Sequence, residues 1–471
     1  DVSVSFLGKA FPRALSVGRY LWRFVAIDPR VRTTVFPQEI QGELIQAAIA
    51  QAVGTGLGLT MNWGASCAYP VDSLRSASFT QKYGLASSVM GGVIINDVAT
   101  EEDVRNGVCL VNTKPGPYDE LVIKYLYQPI YASSLQEEKE TLDSWIREHT
   151  GDPYYAYIRN QSRFDSDPRN SRGSLGDDHL KSFDYMLPNV RKGFENYYSW
   201  FAKEDRDFLM RRRVHSALSE RLSGRIYAIL SYIGGIYLND IREKDAIPSY
   251  SMVDREKQKA ALSKALELAK NLDWVDDTAH LNEFEISDKK ADRLRLDIFN
   301  GIFGRLPYVE VCTERFPDAA YTASEYLDDI YGIVWEGVLK HRPLENFERA
   351  LQTAFLESII STSTATAPIG SFKASKTGFA ATGKPEINLA ALRNGGKVDM
   401  KMYSLQNAEE VAGFSSIPPI YTNQTKIAAY YFDLLMRTKD MLKKAISTAP
   451  EADRSHYDLL IYRINKATEI E

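Results

Sequence analysis

Histidine is scarce in this chain and wholly missing from its first 148 residues. The 471 residues hold six, His149, His179, His215, His280, His341 and His456. A metal centre whose imidazoles all come from the first 148 residues is therefore excluded. Cysteine is sparse too: Cys67, Cys109 and Cys312 allow at most one disulfide, show no metal-ligand spacing and leave the redox compartment open. Neither sign of charge dominates, and a net charge of −5 argues against a general nucleic-acid or anionic-membrane binder. Long apolar runs are absent; the most apolar segment, 226–238, contains two glycines, is too short to span a bilayer and reads as core. There is no glycine-rich phosphate loop and no Gly-x-Ser-x-Gly elbow.

What remains is the composition of an ordinary folded protein, 44% apolar and 25% charged, long enough for more than one compact unit. Residues 38–59 carry Ile40, Leu44, Ala47, Ala48 and Val53 on one helical stripe, which predicts an amphipathic helix. That helix runs into Gln51-Ala-Val-Gly-Thr-Gly-Leu-Gly-Leu-Thr-Met61, followed by Asn62. Further on come Tyr69-Pro-Val-Asp-Ser-Leu-Arg-Ser76, Ser88-Val-Met90, Gly116-Pro-Tyr-Asp119, Asp167-Pro-Arg169, Leu175-Gly-Asp-Asp178 and Gly234-Gly-Ile-Tyr-Leu-Asn239.

This ordered series resembles a family of large secreted bacterial zinc-dependent metalloproteases of the metzincin kind, from about Ile40 to the C-terminus. In such proteins the zinc helix reads His-Glu-x-x-His-x-x-Gly-x-x-His. Here Gly58 matches the glycine, but the ligand positions hold Gln51, Thr55 and Met61, and the general-base position holds Ala52. Residues at i and i+4 on one helix face can share a metal, and a glycine turn can deliver a third ligand, so the geometry can survive. The donors do not: an amide, a hydroxyl and a thioether replace three imidazoles. Met90 stands where the resemblance places a methionine beneath the ligands; without a metal it is an ordinary buried gap-filler.

The resemblance implies an α+β fold, a partial, degenerate metzincin-like protease domain followed by a large, mostly α-helical region. The expected division is 1–130 for the protease-like part, 131–360 for a helical region, 361–384 for a flexible Ser/Thr/Gly-rich loop and 385–471 for a C-terminal helical region. Leu21–Ala26, Val93–Val98 and Val108–Asn112 read as short strands. Helices are expected at 134–149, 178–201, 203–233, 254–271, 324–340, 344–360, 425–447 and 451–467. Family members carry a signal peptide and upstream domains, so the resemblance implies a mature or trimmed piece. It also implies an extracytoplasmic location, and an upstream segment or separate chain completing the N-terminal sheet.

Functionally, the expectation is a pseudopeptidase: no catalytic residue, zinc absent, and a protein or peptide partner held in a groove at Gln51, Thr55, Met61 and Asn62, with no nucleic acid and no transmembrane segment. The alternative is an active metallopeptidase with an unconventional metal site drawn from His179, Asp177 and Asp178. A third reading makes the chain an accessory subunit whose helical region carries the contacts. Asp165 and Asp167 lie in an acidic stretch that suits calcium, but no bidentate acid stands at Gly176, and helix capping by Asp177 and Asp178 is the plainer reading. Asp72, Ser73 and Arg75 read as loop braces, Arg211-Arg-Arg213 as a solvated face, and Asn160-Gln-Ser162 and Asn423-Gln-Thr425 as glycosylation triplets of no consequence in a bacterial protein.

Overall fold

The computed structural model describes residues 21–91, 94–158, 166–170, 174–239, 241, 245–276, 279–280, 290–362 and 424–468. Among these the fold is α+β and mostly helical, with one two-stranded sheet. The helices are α1 (Gln38–Gly56), α2 (Ala77–Tyr83), α3 (Glu101–Arg105), α4 (Pro117–Tyr127), α5 (Leu135–Arg147), α6 (His179–Phe201) and α7 (Leu209–Leu230). The antiparallel hairpin β1 (Ile236–Leu238) and β2 (Tyr250–Met252) follows, paired Tyr237 to Ser251. Then come α8 (Arg255–Lys270), α9 (Lys290–Arg315), α10 (Ala323–Val334), α11 (Glu336–Leu339), α12 (Asn346–Thr362), α13 (Gln424–Ala445) and α14 (Glu451–Thr468).

Helix starts follow their caps. Ser134, Asp178 and Asp254 each accept backbone N–H bonds from the first turn they precede, satisfying donors the helix leaves orphaned. One core reaches from Leu21 to Ile464, with Phe299, Phe303 and Phe355 at its centre. The N-terminal part is tied to it by charge: buried Asp97 lies between the guanidiniums of Arg221 and Arg225 on α7, and Arg225 also donates to Ser182 on α6 at 2.8 Å. Burial alone would raise the Asp97 pKa, but the two cations outweigh it and hold the carboxyl well below its ordinary range.

Several expectations are corrected. Leu21–Ala26 is no strand but a 3-10 turn, Trp22–Phe24. With every residue from Leu21 to Ile27 except Arg23 buried, and no partner strand among the described residues, the backbone bonds to itself, as in Ile27 N–H to Phe24 O at 2.9 Å. The strands expected at 93–98 and 108–112 reduce to one bridge, Ile95 to Val111; residue 93 lies outside the described residues. The helix expected over 203–233 begins at Leu209, after Asp205 accepts from Met210 and Arg211 N–H. Arg211 is not on a solvated face: it is buried against Asp205 at 3.4 Å and over the Tyr198 ring, whereas Arg212 and Arg213 are exposed. Val53 is exposed instead of continuing the α1 stripe. Helix 324–340 breaks at Trp335 into α10 and α11. From residue 363, the expected 361–384 loop lies outside the described residues, as do Asp165, Asn160–Ser162 and Asn423.

Candidate functional site

Helix α1 carries Gln51 and Thr55, two of the three positions at which the resemblance places zinc ligands, and ends just after them at Gly56. Gly58 takes φ +91°, a left-handed conformation a side chain rarely adopts, and Leu59 N–H closes the turn on Gly54 O at 3.0 Å. The chain then doubles back, and Asn62 N–H bonds to Met90 O at 3.0 Å. Met90 is fully buried beneath α1: a Cβ added at Gly54 would sit 2.7 Å from its sulfur. Leu59, Val89, Met61, Val122 and Ile123 complete that small apolar cluster.

The methionine turn is held by one carboxylate. Asp119, in the first turn of α4, accepts from Ser88 Oγ at 2.5 Å, Val89 N–H at 2.9 Å and Gly116 N–H at 3.0 Å. Ser88 Oγ in turn accepts from Met90 N–H at 2.9 Å. The role of Asp119 was missed in the sequence, although an acid at N3 of a helix opening on Gly-Pro is a capping-box signal.

On the other side, Asn62 reaches across to the tyrosine-rich segment 154–158. Its Nδ2 donates to Ala156 O at 2.9 Å and its Oδ1 accepts from Ile158 N–H at 3.1 Å. Thr60 Oγ1 donates to Tyr157 Oη at 3.2 Å, and Tyr157 stacks on Tyr118 of α4. Asn62 is fully buried, so it cannot line a groove as expected; its amide groups are committed to the chain's own backbone. Of the expected braces, Arg75 pairs with Asp103 at 2.7 Å and Asp72 accepts from Tyr185 Oη at 2.8 Å; Asp177, expected with Asp178 to cap α6, instead accepts from Val71 N–H at 3.1 Å and leaves the cap to Asp178.

A helix, a glycine turn, a chain segment that doubles back and a buried methionine beneath them are the arrangement that the resemblance to metzincins leads one to expect. A family model described as Met-zincin matches residues 33–342, well over half of the chain. The chain belongs to the Met-zincin family. No curated protein and no solved structure matches it.

A Met-zincin implies a zinc ion, and the donors present do not fit one. Gln51 Nε2 donates to Met61 Sδ at 3.0 Å, and Thr55 Oγ1 donates to Gln51 O at 3.0 Å. The side chains of Gln51 and Met61 thus bond to one another, and that of Thr55 bonds back onto its own helix. Amide, hydroxyl and thioether are poor partners for zinc beside imidazole, thiolate or carboxylate. Ala52 offers a methyl group where a base would stand.

Among the described residues, no three His, Cys, Asp or Glu side chains gather as a metal site. His179 is buried, with Nε2 2.9 Å from Pro168 O and its ring stacked on Tyr232; burial pushes its pKa down to about 4. Asp178 caps α6 and pairs with Lys257 at 3.0 Å. Asp167 takes Arg169 Nη2 at 2.7 Å and Leu238 N–H at 2.9 Å, so its carboxylate is engaged by donors of the chain itself.

Proposed function

We propose that this Met-zincin is catalytically inactive and is retained as a binding or structural component of an extracytoplasmic assembly. The observation that carries this reading is the bond between Gln51 and Met61, with Ala52 at the base position. Without a metal, an attacking water keeps its high pKa. Without a base, a further factor of roughly 10² to 10⁴ is lost. The scaffold, by contrast, keeps its turn, its buried methionine and the Asp119 clamp. A platform that stays rigid but has no reactive group is suited to holding a peptide or partner segment against α1, where Thr55 and Gly58 are exposed.

The test is cleavage of a labelled unfolded protein such as casein, with and without a zinc chelator. No chelator-sensitive cleavage above the buffer rate is expected. Turnover that the chelator abolishes, and that Gln51→Ala or Met61→Ala also abolishes, would overturn the reading.

A further inference from the structure

Beside the methionine turn stands an arm of two thinly covered helices. Across α4 and α5, Asp119 is the single buried residue. Tyr125, Leu126 and Tyr127 are exposed, and past them Tyr131 is 98% and Leu135 84% exposed. Exposed large apolar side chains elsewhere among the described residues are scattered along the chain; these five fall within eleven positions. Clusters of this kind, unlike single exposed residues, mark interaction surfaces.

Two features give the patch direction. It is continuous with the ligand platform, because Leu126 Cδ1 lies 3.5 Å from where a Gly58 Cβ would stand and Tyr127 Oη donates to Leu57 O at 2.9 Å. Its sequence is also acidic: over residues 117–152, besides the buried Asp119, the carboxylates Glu120, Glu137, Glu138, Glu140, Asp143, Glu148 and Asp152 outnumber the cations Lys124, Lys139 and Arg147. Lys124 is drawn onto the Trp145 ring at 4.4 Å, which takes one of those cations away from the rim.

We propose that this arm docks a cationic segment of a partner protein, one carrying leucine or aromatic side chains among lysines and arginines. The apolar side chains would seat on Tyr125–Leu135, and the cations would pair with the carboxylates of α5. The acidic rim repels nucleic acid and anionic bilayers, which leaves a basic polypeptide as the complementary surface. The assignment rests on the reading of this chain as a binding component, and gives that component its partner chemistry.

The experiment is selection of a displayed random-peptide library on the immobilised full chain. The expected survivors combine Leu, Phe, Tyr or Trp with Lys or Arg and lose binding in high salt. Their affinity should fall about tenfold or more for the pair Leu126→Ser with Leu135→Ser, and for Glu137→Lys with Glu140→Lys, but not for Tyr462→Ser on the exposed face of α14. Survivors that are neutral or acidic, that bind the arm variants equally, or that fail to exceed the blank resin overturn the assignment. A concentration-dependent dimer that Leu135→Ser dissolves in sedimentation also overturns it, because a second copy then covers the face. Cleavage of the selected peptides would defeat the inactive-enzyme reading while leaving the docking surface intact.

Discussion

An amide nitrogen 3.0 Å from a thioether sulfur is a weak contact, yet at Gln51 and Met61 it sets what the platform can hold. That residues 51, 55 and 61 carry an amide, a hydroxyl and a thioether was legible from the sequence alone. The burial of Asn62 was not, because it depends on segment 154–158 returning from some ninety residues away. Asp119 holds the methionine turn through three accepted hydrogen bonds. Asp119→Ala leaves Val89 N–H and Gly116 N–H buried without their acceptor, and should cost about 2–6 kcal/mol in urea unfolding, given about 1–3 kcal/mol per stranded group. An unchanged midpoint would show that the clamp is dispensable.

Acid should act through His179 and His456, both with pKa values pushed down to about 4, first by burial. Each prefers the neutral form when folded, so the unfolded chain binds more protons once pH drops below the ordinary value of 6.5. Stability is therefore whole above pH 6.5 and falls as pH approaches 4. The slope is up to about 1.4 kcal/mol per pH unit per histidine. His456, being part-exposed, contributes less. His456→Gln should flatten the slope of unfolding free energy against pH in that window; Asp97, held low by its arginines, adds its own loss of stability only from the ordinary carboxylate value of 3.8 downward.

Among elements, α1 carries the clearest prediction. Its i, i+4 positions, the Gly58 turn and the methionine below are all in place, so restoring donors should restore a site. The combined substitutions Gln51→His, Ala52→Glu, Thr55→His and Met61→His should take up one zinc per chain in calorimetric titration, whereas the unaltered chain takes up none. A restored variant that stays folded by circular dichroism yet binds nothing would show that the platform has drifted. Helices were legible where caps and stripes agreed, as at Ser134, Asp178 and Asp254. Helix α9 was not, because Gly301, Gly304 and Pro307 are breaker signals that tertiary packing overrides. The run Leu21–Ala26 differs for the converse reason: an almost uniformly apolar run looks like a strand, but with no partner strand among the described residues it folds as a turn.

For the molecule as a whole, a continuous core from α1 to α14 contrasts with the arm α4–α5, which contributes to it almost nothing. Amides of α5 should exchange with solvent far faster than those of α7 and α9, read by hydrogen-exchange mass spectrometry. Slow exchange in α5 would mean that the arm is covered in solution. No helix among the described residues is long and apolar enough to cross a membrane. Whether this chain can hold zinc depends on the donors at residues 51, 55 and 61, and its metal content reads that out. Protein expressed with added zinc, exhaustively dialysed and analysed by plasma mass spectrometry should carry far less than one zinc per chain. A full equivalent that resists dialysis and disappears with Gln51→Ala would contradict the account.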